Sequence, residues 1–177
     1  MNSHFLQPNY QQHPSLLTTV QKNSYKIYMN ENNINEQYVF FSHPVKNKII
    51  HGTFSHVMYS NELFITKFIN YLFRMNVNMN RFYNTFVCNF NPNQNSLLKI
   101  KYLEHCILSN YKCTMIIPDN KLPQYKISTI LNSGNIKLFA QNNDKITKTG
   151  DVDFCLKIIG IWESHTEYGI IYKILLH

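Results

Sequence analysis

Eight histidines, four cysteines and ten carboxylates are the groups in this chain that could ligate a metal or move a proton. Their spacing serves neither purpose. His51 and His56 fall in a predicted strand, where an odd separation puts them on opposite faces. His43, His105 and His165 have no cysteine or carboxylate companion at ligand spacing. Asp151 and Asp153 form a DxD that could hold a cation, but they sit in a polar stretch that reads first as a solvated loop. Cys88, Cys106, Cys113 and Cys155 show no CxxC pairing and read as free thiols of a reducing compartment. There is no Ser, His and Asp arrangement, nucleophile elbow, phosphate-binding loop or dinucleotide fingerprint. Four Asp and six Glu leave few general acids and bases. The expectation is a protein without catalysis, metal or cofactor.

The chemistry that remains is electrostatic. Seventeen Lys and Arg against ten Asp and Glu give a net charge of +7, and all but Arg74 and Arg81 of the cations are lysines. Such an excess favours an anionic partner, nucleic acid before an acidic membrane or protein surface. Several cations alternate with aromatics along predicted strands: Lys26 with Tyr28, Arg81 with Tyr83, Lys137 with Phe139, and Lys157 and Lys173 near Trp162 and Tyr172. Binders of single strands combine a positive groove for the backbone with aromatic faces on which bases stack, at about 1 to 3 kcal/mol per base. These ten residues are the candidate nucleic-acid-binding site. The competing use of each aromatic is the core.

The elements that must hold them are mainly strands. Phe154 to Trp162 and Tyr168 to Leu176 are apolar runs rich in β-branched and aromatic types, flanking the polar Glu163 to Glu167; they predict a long β-hairpin. Pairing Trp162 with Tyr168 would set Ile158 against Tyr172, Leu156 against Ile174 and Lys157 against Lys173. Two lysines so opposed repel, and an anion between them would remove the conflict. This makes the pair a predicted phosphate-binding face, with Gly169 leaving room for a backbone to approach. The plainer alternative has both stems extended over Ile159 and Ile171 into water.

Further strands are predicted over Ser24 to Met29, around Val39, around Phe54 to Tyr59, over residues 63–74, over Arg81 to Phe90, Cys113 to Ile117 and Asn135 to Ala140. Gly52 suits a bulge. One helix is predicted after Ser96 as N-cap, with an apolar stripe of Leu97, Ile100, Leu103, Ile107 and Tyr111. Residues 125–131 are another apolar element, and Gln141 to Asp153 read as a polar loop. About seven strands with one late helix suit a mainly β (α+β) fold, an OB-fold-like Greek-key β-barrel with one inserted helix, better than a parallel α/β sheet, with a β-sandwich carrying one helix as the alternative. The domain spans residues 21–177, behind a flexible arm at 1–20 that is aperiodic and contains Pro8 and Pro14. No apolar run reaches the roughly 18 residues of a membrane span and no signal layout opens the chain, so an intracellular, non-membrane protein is expected. A single alanine beside abundant Asn, Ile, Lys and Tyr points to an A/T-rich genome, such as that of a large DNA virus or an intracellular parasite.

FSHPVKNKIIHGTFSHVMYS, Phe41 to Ser60, and LKIIGIWESHTEYGIIYKIL, Leu156 to Leu175, resemble segments of small proteins of large A/T-rich DNA viruses, among which OB-fold single-stranded-DNA-binding proteins occur. The resemblance implies a role in viral DNA replication or recombination, with single-stranded DNA and replication proteins as partners. Many such binders end in an acidic tail; KILLH here gives no expectation of recruitment through one. The alternatives are a virion or assembly module that binds protein and, after it, an enzyme.

Overall fold

The computed structural model describes residues 26–47, 51–139 and 148–177. The expected arm at 1–20 lies outside them. A 3-10 turn, Glu36–Tyr38, precedes β1 (Val39–Phe41), β2 (Val45–Asn47), β3 (Gly52–Ser60), β4 (Ile65–Thr66), β5 (Ile69–Phe82) and β6 (Thr85–Phe90). Then follow α1 (Asn95–Met115), β7 (Leu122–Gln124), α2 (Lys126–Asn132), β8 (Asn135–Phe139), β9 (Lys148–Glu163) and β10 (Glu167–Leu176). The ten strands make one sheet in the order β1-β3-β9-β5-β6-β8, antiparallel except where β10, on the other edge of β9, pairs in parallel with β7.

The fold is thus mainly β, as expected, but the sheet is not closed into a barrel. Among the described residues β8 and β10 share no ladder. Beside that gap lies a second helix: residues 125–131, read only as an apolar element, supply most of α2, which packs against both β8 and β10. Its start is fixed by Glu104 of α1. This buried carboxylate accepts from the backbone N–H groups of Ile127 (2.9 Å) and Ser128 (2.7 Å) and from the Ser128 hydroxyl (2.5 Å). A short helix with no cap of its own is held by charge-assisted bonds from its neighbour.

Strand alternation sorts the side chains. Tyr71, Phe73, Met75 and Val77 of β5 stand opposite Leu156, Phe154, Val152 and Gly150 of β9, and the row continues through Cys88 and Ile136 into one buried core. α1 seals it with the expected stripe, all five residues of which are buried. Ser96 is not the cap, however; Gln94 precedes the helix and its amide is used to bind the Asn76 backbone at 2.7 and 3.0 Å.

Other expectations change for local reasons. Cys113 to Ile117 is not a strand: α1 runs to Met115 and ends on Ile116 in the left-handed region, φ 53°, with Ile117 N–H bonded to the Lys112 carbonyl. Arg81 to Phe90 is the end of β5, a two-residue turn and β6 rather than one strand, and within Ser24 to Met29 the described residues give a single bridge, Met29 to Tyr71. Part of the expected 141–153 loop is strand, because β9 begins at Lys148. Its polar residues are the outward half of an alternating pattern: Asp153 takes a bidentate ion pair from Arg74 (2.6 and 2.9 Å) and Asp151 accepts from Asn76 (2.9 Å). The DxD is therefore occupied with cross-strand partners. Gly52 marks a close approach rather than a bulge, since a Cβ there would lie 2.0 Å from the Glu163 carbonyl oxygen.

The β9–β10 hairpin keeps half of its predicted register. Tyr172 faces Ile158, Lys173 faces Lys157 and Ile174 faces Leu156, but nearer the turn Tyr168 pairs with Glu163 and Gly169 with Trp162. The Ser164 hydroxyl gathers the N–H groups of Thr166 and Glu167 and tightens the turn by one residue. Ile159 is left over as a bulge that absorbs the difference.

Candidate nucleic-acid interface

Where β8 and β10 part, a cleft of about 780 Å³ opens. Its walls bring together six of the ten candidate residues: Lys26, Tyr28, Lys137, Phe139, Lys157 and Lys173. They come from four distant parts of the chain. Lys157 and Lys173 share one face of the hairpin because paired residues do, and Asn70 of β5 continues their row beyond Lys157. Lys137 and Phe139 sit two apart on β8 and so share a face. Lys26 and Tyr28 arrive on the segment that Met29 and Asn70 tie to β5: Met29 N–H to the Asn70 carbonyl at 2.8 Å, and the Asn70 amide to the Ile27 carbonyl at 3.0 Å.

The cleft is electropositive. Its described lining holds four lysines and no Asp or Glu. The ion pairs among the described residues lie elsewhere, in Arg74 with Asp153, Lys99 with Glu31, Lys112 with Asp119 and Lys121 with Glu163. Lys157 settles its ammonium 3.8 Å from the centroid of the Phe68 ring, a cation–π contact in place of the extended stem over Ile159. The field is legible in the thiol of Cys155 on the cleft wall. Burial pushes its pKa up, and the positive charges of Lys157 and Lys26 pull against that shift.

Four candidates lie outside the cleft. Arg81 and Tyr83 form the adjoining β5–β6 hairpin tip, where the Arg81 Nε donates to the Tyr83 carbonyl (2.9 Å) and the guanidinium lies 5.8 Å from the Phe86 ring centroid. Trp162 and Tyr172 do not line the cleft. The Trp162 indole lies under the Lys126 ammonium at 4.8 Å and fills the space above Gly169, whose added Cβ would meet Trp162 Nε1 at 2.9 Å. That space is taken, so Gly169 leaves no room for a ligand backbone. Tyr172 packs against the core, which pushes its hydroxyl pKa up, and its hydroxyl reaches the Lys126 carbonyl at 3.5 Å.

Phe68, Asn70 and His177 belong to the cleft and were not singled out in the sequence. His177 packs its ring on Tyr28 at 4.8 Å. Asn70 was reachable only by knowing that β5 pairs with β9, a contact between segments some eighty residues apart that no local pattern encodes. Elsewhere, Ser55, Tyr111, Glu163 and Lys121 form a largely buried network in which the Tyr111 hydroxyl lies 3.2 Å from both Ser55 Oγ and Glu163 Oε2. Burial pushes the Tyr111 pKa up to about 12. The network braces α1 against β3 and β9. Among the described residues no three His, Cys, Asp or Glu side chains cluster as metal ligands, and no helix is long and apolar enough to cross a membrane.

The chain matches no protein-family model, no curated protein and no solved structure.

Proposed function

We propose that the protein is a non-catalytic binder of single-stranded nucleic acid, DNA before RNA, and that the β8–β10 cleft carries the strand. The observation behind this reading is the lysine set: Lys26, Lys137, Lys157 and Lys173 converge on one cleft whose described lining holds no Asp or Glu side chain. A phosphate backbone supplies negative charge at regular spacing, while Tyr28 and Phe139 give its bases apolar faces. On this reading the scaffold is an OB-like Greek-key barrel left open at one seam. The setting that goes with it is viral DNA replication or recombination inside the cell, beside replication proteins.

Titration of labelled oligo-dT at several salt concentrations tests it. Four phosphate contacts give a log-log slope of about −2.8 for a single strand. Absence of binding at low salt, or binding indifferent to salt, overturns the proposal. A second reading, a protein-interaction module of an assembly, draws on a different surface. Phe40 and Ile65 lie exposed on the same face of the β1–β3–β4 corner, with Leu63 exposed beside them. Concentration-dependent association that is lost in Phe40→Ser/Ile65→Ser, with no salt-dependent DNA binding, supports that alternative.

A further inference from the structure

The turn joining β5 to β6 has two residues, Tyr83 and Asn84, between the paired Phe82 and Thr85. Two-residue hairpins whose turn opens with φ above zero favour Asn, Asp or Gly there. This one uses Tyr83, at φ 51°. The strained residue recovers nothing by burial, since Tyr83 is 95% exposed. Arg81 locks the turn through its bond to the Tyr83 carbonyl. Beside it, Phe82, Thr85 and Phe139 form one row across three strands, and two of its members are open aromatics: Phe82 is 60% and Phe139 87% exposed. Phe139 is also a wall of the cleft, and Lys137 lies on the same face two residues away.

Ile116 is the other non-glycine residue with positive φ among those described, and it is as exposed as Phe139. Its conformation is accounted for by the end of α1, whose Lys112 carbonyl receives the Ile117 N–H. The tight turn likewise accounts for the φ of Tyr83, but not for a tyrosine standing there in place of Asn, Asp or Gly. What distinguishes it is its position, an aromatic ring held in the open at the rim of a lysine-lined cleft.

We propose that this hairpin tip is a base-stacking finger, and that it makes the cleft prefer a strand with unpaired bases over other polyanions. The inference rests on the reading of the cleft as a backbone track. Lysines alone recognise phosphate and are blind to whether bases are present. Aromatic faces supply that discrimination without sequence preference, because every base has a π-face and duplex pairing hides it except at the ends.

The test uses the full chain and two labelled strands of equal length, oligo-dT and its abasic counterpart, followed by anisotropy across a salt series. Tyr83→Asn removes the ring and places at that φ a residue suited to it, so folding is retained. One stacked base is worth about 5- to 150-fold. The wild type is expected to prefer oligo-dT by at least about fivefold, and Tyr83→Asn to reduce that preference by about fivefold or more while keeping its abasic affinity and its salt slope. Unchanged oligo-dT binding by the variant, or an equal loss on both strands, overturns the finger. Equal, salt-dependent binding of both strands by the wild type overturns the finger and leaves the cleft reading standing. Binding of neither strand by the wild type removes both.

Discussion

Replacing Lys157 and Lys173 together with glutamine removes two of the four cleft cations and leaves polar side chains one atom shorter. The pair stands directly opposed on β9 and β10. Each lost phosphate contact lowers the slope of log K against log salt by about 0.7 for a single strand, so the double variant flattens it by about 1.4. Between about 50 and about 200 mM salt that difference corresponds to an affinity falling about sevenfold less than in the wild type. Stability offers an internal control. Relief of the cross-strand repulsion stabilises by some tenths of a kcal/mol, and loss of the Lys157 contact with the Phe68 ring costs about 0.5 to 1 kcal/mol. The two nearly cancel, and the melting temperature should stay within about 2 °C of the wild type. Anisotropy titrations over a salt series, with a melting curve on the same sample, decide the matter. An unchanged slope in a variant of unchanged melting temperature would refute the assignment of this pair to the phosphate track.

Three further outcomes follow from the fold. Ile116→Gly relieves the left-handed strain at the end of α1 and should stabilise by about 0.5 to 1 kcal/mol, with oligo-dT binding unchanged; this separates strain as such from strain at the cleft rim. Glu104→Ala strips α2 of its carboxylate cap and leaves the Ile127 and Ser128 amides without their acceptor, which should cost about 3 kcal/mol in a denaturant melt. Burial lifts the hydroxyl pKa values of Tyr71 and Tyr111 from 10.0 to about 12, so the folded state holds protons that the unfolded state releases. Their contribution is complete below about pH 10 and is lost as pH rises toward about 12, and Tyr111→Phe should make the alkaline decline in stability shallower.

How much could be read from the chain itself depended on how local the determining contacts are. The stripe of α1 was legible because helical spacing declares a buried face. The opposition of Lys157 and Lys173 holds because the bulge at Ile159 offsets the one-residue tightening of the turn, so the register expected from Trp162 and Tyr168 returns below the bulge. The turn end of the same hairpin was not legible, since its register depends on which backbone groups the Ser164 hydroxyl gathers. Lys148 to Asp153 read as loop because polarity was taken for solvent exposure of the backbone, when the acidic residues were paired with Arg74 and Asn76 of a strand far away in sequence. Of the site, the cations were recognisable by type. Their convergence was not, because it depends on β8 and β10 coming near each other without pairing. Trp162 stands apart from the cleft for a related reason: its indole packs over Gly169 and under Lys126, neighbours that only the observed register supplies.

The extra residue at Ile159 acts as a phase shifter. From Ile161 toward the turn, odd positions of β9 face the core; from Ile158 downward, even positions do, while β10 keeps Tyr168, Ile170, Tyr172 and Ile174 inward throughout. Counted from the turn without that residue's slack, Lys157 would oppose Ile174 and point inward, and Phe154, Leu156 and Ile158 would be turned out to water. One residue held out of the ladder thus keeps the sign of the whole lower strand, and deleting Ile159 would remove the bulge while leaving Lys157 opposite Lys173.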